Sequence, residues 1–230
     1  MRKSKIFALL LGLFLTVFAV FPFSVSASDV NVAAQPAPPK NSTFAIMDPT
    51  PGSVANLRIF ASSDASGSSI PSIDGHAWIV LTNYQSSAAT FGRLSGIGQY
   101  KSVSVGTWGN KSEHTGLWYN LEAKYVSSYN AYPGRVSLSM DLDAGQLATV
   151  NSLIINNDAW STFNNCSDFA SKVWNAVSST KLSNGSFHTP TALRDSIKAQ
   201  SWYVSASPFS YDYVVYYAQG TGTPVRSIYE

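Results

Sequence analysis

The chain holds a single cysteine, Cys166, in the stretch NNCSDFASKVWN at 164–175. Its beginning reads as a secretory leader: Arg2, Lys3 and Lys5 precede an apolar run from Ile6 to Phe21, and Val25-Ser26-Ala27 offers small residues for cleavage before Ser28. Exported chains commonly use cysteines in pairs as covalent staples, and a leftover one points to an intermolecular bond or a free reactive thiol. Without a second cysteine no internal disulfide can form, so the fold has to be held by its core. The leader is expected to leave: its apolar run of about 16 residues is closed by Pro22, short of the roughly 20 that a helical membrane span needs.

Cleavage after residue 27 leaves about 200 residues, enough for one domain with a sizeable core. The leader also takes three basic residues and no acidic ones, which turns the excess of 15 Lys and Arg over 13 Asp and Glu into a deficit of one. No basic run remains, and that excludes the electrostatic footprint nucleic-acid binding requires. The 3 histidines, His76, His114 and His188, are scattered and show no zinc-site spacing, so no metal or other cofactor is expected. Asp141, Asp143 and Asp158 read as cap and solvent residues, and the chain is expected to be a monomer.

Residues 28–53 read as a flexible arm because Pro36, Pro38 and Pro39 deny regular pairing, and 54–230 is left as the folded domain. Strands are expected at 54–61, 76–83, 101–108, 135–140 and 211–219, from alternation and from β-forming residues. The strands at 76–83 and 101–108 are expected to pair antiparallel. Helices are expected after Asp143, where Gln146 completes a capping box before Leu147, Val150 and Ile154, over about 166–178 with Phe169, Ala170, Val173 and Val177, and after Pro190 with Leu193 and Ile197. Strands, then helices, then a strand make an α+β domain rather than repeating βαβ units.

Cys166 stands at the start of one of these helices, with Asn164 or Asn165 as its cap. Free N–H groups and the helix dipole favour a thiolate there, and the same N–H groups suit an oxygen that develops charge in acyl transfer. A free cysteine is equally often small buried filler, so a base has to decide between the readings. His76 opens a strong strand after the Asp74-Gly75 turn and is the preferred base, whereas His114 and His188 lie in polar loops.

DGHAWIVLTN at 74–83, followed by NNCSDFASKVWN at 164–175 and HTPTALRDSI at 188–197, resembles the circularly permuted papain-like group, related to NlpC-type cell-wall endopeptidases and lecithin retinol acyltransferase-like proteins. That group places its histidine strand before its cysteine helix. The resemblance implies a permuted papain-like fold with a small antiparallel sheet packed against helices, Cys166 as nucleophile and His76 as base. The group that orients the imidazole stays open among Asn110, Thr107 and Asp74, with Asn83 disfavoured by strand parity. Trp108 and Trp118 are the candidates for substrate contact, since Gly106, Gly109 and Gly116 let the chain turn beside them. The expectation is a secreted thiol hydrolase acting on an amide or peptide bond, with cell-wall peptide as the substrate the resemblance implies. An acyltransferase with the same site and an inactive secreted binding protein are the alternatives.

Overall fold

The computed structural model describes residues 49–63, 75–109, 116–208, 214–218 and 222–227. All of them belong to one compact unit, Lys40–Glu230. The expected leader and most of the expected arm lie outside the described residues, as do Asp74, Asn110 and His114. No helix among the described residues is long and apolar enough to cross a membrane. The end of the expected arm is held in place: Thr50 donates from its main-chain N and from Oγ1 to Asp141 Oδ2, at 2.8 and 2.7 Å.

In chain order the elements are β1 (Ala55–Ser62), β2 (His76–Asn83), β3 (Ala89–Phe91), β4 (Leu94–Ile97), β5 (Ser102–Trp108), β6 (Gly116–Tyr119), α1 (Leu121–Tyr129) and β7 (Val136–Leu142). They continue with α2 (Ala144–Ile155), α3 (Cys166–Val177), α4 (Pro190–Lys198), β8 (Val204–Ser205), β9 (Tyr216–Ala218) and β10 (Val225–Arg226). The fold is mixed α+β. Eight strands form one sheet in the order β10-β9-β6-β5-β2-β1-β7-β8, all pairs antiparallel, and β3 and β4 form a separate hairpin. The sheet is larger than expected because β6, β8 and β10 join strands that the sequence pattern already marked.

Register explains the two layers. In an antiparallel pair, residues opposite each other share a face, and Ile79 pairs with Val105 while Val80 pairs with Ser104. One face therefore carries Leu57, Ile59, Ile79, Leu81, Val103, Val105, Leu117 and Tyr119, which pack with Leu147, Val150, Ile154, Phe169, Val173, Leu193 and Ile197 of α2, α3 and α4. The other carries Phe60, Trp78, Val80, Trp108 and Trp118, covered by Leu121 and Ala123 of α1 and by Ala131 and Tyr132. A strand buried on both sides has no polar face to show. HAWIVL in β2 is such a run, buried from His76 through Leu81.

The caps that terminate the helices follow the sequence. Asp143 accepts from Gln146 N at 2.8 Å while Gln146 Oε1 accepts from Asp143 N at 3.0 Å, the reciprocal box expected before α2. Thr189 caps α4 and Pro190 takes its first position, where a missing N–H costs nothing.

Trp118 departs from its expected role. It lies in β6 opposite Gly106 and is fully buried in the second core layer, so it is a packing residue and has no solvent face to offer a substrate. Replacing it by alanine is expected to cost about 3–5 kcal/mol; urea unfolding of the Trp118→Ala variant should show a correspondingly lowered midpoint.

Candidate active site

Cys166 is the first residue of α3 and is 8% exposed. The helix start is fixed by a second capping box: Asn165 Oδ1 accepts from Ser167 N at 2.9 Å, and Asp168 Oδ2 accepts from Asn165 N at 2.9 Å. Asn165 rather than Asn164 is thus the cap. The N–H of a first helical residue has no partner within its helix, so the Cys166 N–H is available beside its own sulfur.

His76 opens β2 at the end of the sheet, buried to 3% exposure. Its Nε2 lies 3.0 Å from Oε1 of Glu122, which is the second residue of α1 and wholly buried. With Nε2 committed to the carboxylate, Nδ1 is the remaining ring nitrogen. Burial by itself lowers the affinity of the imidazole for a proton, but Cys166 and then Glu122 more than offset it and hold the pKa up, at about 9.

Glu122 is built into the sheet rather than merely placed near it. Its Oε1 also accepts from Trp108 Nε1 at 2.9 Å, and its Oε2 accepts from Ser104 Oγ at 2.9 Å. Three donors satisfy a carboxylate with no access to water, which is the condition for burying one. The first turn of α1 adds the positive end of the helix dipole. Ser104 serves twice, since its Oγ also accepts from Ala123 N at 3.4 Å and so stands in for a side-chain cap that Asn120 does not provide. Space for the carboxylate comes from Gly106: a Cβ there would collide with Oε1 of Glu122 and approach Nε2 of His76 to 3.3 Å.

The other expected residues fall as follows. Thr107 shares the parity of Val105, so it points to the face opposite His76, and its buried hydroxyl has no hydrogen-bond partner. The group on the imidazole is Glu122 instead. Asn83 is occupied in holding its own turn, donating to Ser87 O and Ile97 O at 2.9 Å each. Trp108, at 2% exposure, supports the site from within: besides its bond to Glu122, its ring centroid is 4.1 Å from that of His76. His188 is turned to another carboxylate, with Nδ1 2.5 Å from Asp168 Oδ1. Asp168 is two residues beyond Cys166, about 200° around the helix, so that pair lies on the side away from the thiol. Among the described residues no cluster of three or more His, Cys, Asp or Glu is set to hold a metal.

Tyr132 was not singled out by the sequence. Its ring is fully buried, 5.7 Å from His76 and 5.2 Å from Trp78 between centroids. Its hydroxyl is buried without a hydrogen-bond partner. Burial, the Glu122 charge and then Cys166 hold the phenol well above its ordinary pKa.

Two outcomes test this geometry. The raised pKa means that the proton on His76 stabilises the folded state. That contribution is fully present below the ordinary pKa of 6.5 and is lost as pH rises through about 9. Melting temperature should therefore fall across this interval in the wild type, with a shallower fall in His76→Gln. Gly106→Ala is expected to cost about 1–3 kcal/mol in a denaturation experiment through overpacking. Gly98→Ala, whose Cβ would meet nothing nearer than 3.7 Å, should stay within about 0.5 kcal/mol of the wild type.

Comparison of the chain with protein-family models, with curated proteins and with solved structures finds no match.

Proposed function

We propose that the protein is a thiol-dependent hydrolase that cleaves an amide or peptide bond through an acyl-enzyme on Cys166. What supports this reading is a buried imidazole bonded to the buried Glu122 at 3.0 Å, with a pKa that Cys166 and Glu122 together raise to about 9 against the effect of burial. A filler cysteine needs neither a base nor a carboxylate to orient that base. The cost of burying Glu122 and His76 together is understandable if the pair has a chemical task.

In this reading His76 takes the thiol proton and the sulfur attacks the carbonyl carbon, forming the C–S bond as the carbonyl π pair moves to oxygen. Glu122 keeps the ring in one tautomer and stabilises the imidazolium, the part a third group plays in triads of this kind. The N–H of Cys166 and the hydroxyl of Tyr132 are the two donors for the developing oxyanion. The imidazolium then protonates the departing amine as the C–N bond breaks, and water, activated by the same ring, releases the acyl group.

The permuted papain-like assignment is supported by element order: a histidine at the head of a central strand, followed in the chain by a cysteine at the head of a helix laid over β1, β2 and β5. The leader-like N-terminus and the resemblance support an extracellular peptide substrate, and peptidoglycan stem peptide is the one proposed. Purified peptidoglycan incubated with the mature protein should yield new free amino groups. Cys166→Ala should yield none while melting within a few degrees of the wild type. Undiminished release by Cys166→Ala would reject the mechanism.

A further inference from the structure

Arg135 is a buried cation that the mechanism above does not use. It is 8% exposed, and burial pushes its guanidinium below the ordinary value. Among the described residues none of its partners is a carboxylate. Its Nε donates to Ser207 O at 3.1 Å, one terminal nitrogen to Tyr132 O at 3.1 Å and the other to Ala206 O at 3.2 Å. A buried charge held only by neutral carbonyls is expensive, so the segments it binds are where its purpose should lie.

Those segments share one property. Tyr132 has φ 55° and Ala206 has φ 50°, both in the left-handed region that residues with a Cβ rarely occupy. Arg135 grips both. The Tyr132 carbonyl accepts from the Arg135 main-chain N, at 3.1 Å, as well as from the guanidinium, and the Arg135 carbonyl accepts from Ala206 N at 2.8 Å. The strained turn at Tyr132 is thereby tied from two directions to the head of β7 and to the segment beside β8. Arg58 braces the far side of the clamp through Ser207 Oγ, at 2.6 Å.

The turn decides where the Tyr132 side chain goes. A relaxed φ at this position would swing the ring away from His76 and Trp78, and with it the unpartnered hydroxyl. We propose that Arg135 is a positioning residue for the acyl-transfer step, clamping the Tyr132 backbone so that its hydroxyl meets the oxygen that becomes anionic when Cys166 attacks. The proposal rests on the thiol-hydrolase reading and adds to it a residue that touches neither substrate nor sulfur.

Two reagents separate this role from simple support of the fold. p-Nitrophenyl acetate acylates a thiolate through a tetrahedral oxyanion: the C–S bond forms, charge gathers on the carbonyl oxygen, and collapse expels p-nitrophenolate. Iodoacetamide alkylates the same sulfur by displacement of iodide and develops no oxyanion. Arg135→Lys should slow acylation by about tenfold or more and leave alkylation within about twofold of the wild type. Tyr132→Phe should do the same with Arg135 intact, and adding Arg135→Lys to Tyr132→Phe should produce little further loss. Parallel loss of both reactions in Arg135→Lys, or independent multiplication of the two effects, would overturn the proposal. Tyr132→Phe acylating at the wild-type rate would overturn it even if Arg135→Lys failed to fold. A wild type that is alkylated but never acylated would instead sink the hydrolase reading, and the inference with it.

Discussion

A carboxylate with no access to solvent, Glu122, organises the middle of this protein. It joins the second position of α1 to His76 of β2 and to Ser104 and Trp108 of β5. Removing a charge from water costs several kcal/mol unless donors replace the lost hydration. Here those donors come from three residues on two neighbouring strands, so the strands must be in register before the carboxylate is satisfied. Helix α1 is consequently locked onto the second face of the sheet, and the imidazole is locked beneath it.

The same arrangement links fold to chemistry. His76 is bonded to a buried carboxylate, with Trp108, Trp78 and Tyr132 filling the space around the ring. Aromatic packing excludes water, and a water-poor site strengthens each electrostatic interaction inside it. On the opposite face α3 packs through Phe169, Ala170 and Val173, which fixes the direction of the helix and therefore the position of its first residue, Cys166. The covered aromatic face thus holds His76 and its carboxylate, and the helical face carries α3, which begins at Cys166.

Periodicity made much of this legible in the sequence. The boundaries of β2, the capping box before α2, the start of α3 at Cys166 and the proline-led start of α4 all follow from patterns that local chemistry enforces. The second face of the sheet was harder to read. Ser102, Ser104 and Gly106 alternate with valines and threonine in β5, which looks like a strand with one wet side. In fact α1 covers that side, and the small residues make room for Glu122. Glu122 itself gave little local signal, because α1 buries only Leu121, Glu122 and Ala123, all in its first turn. A glutamate with no apolar stripe behind it resembles an ordinary surface residue. The clue that was present was the run of small residues on the strand parity shared with His76, which leaves a hollow for a larger group. Trp118 misled for the complementary reason: its glycine-rich neighbourhood suggested a loop, whereas it forms a strand that is buried throughout.

The most direct measurement is an NMR titration of the His76 ring in the wild type, in Cys166→Ala and in Glu122→Gln. The coupled site predicts a midpoint of about 9 in the intact protein, lower in each of the two variants. A midpoint near 6.5, the ordinary histidine value, unmoved by both substitutions, would contradict a base engaged by sulfur and carboxylate together.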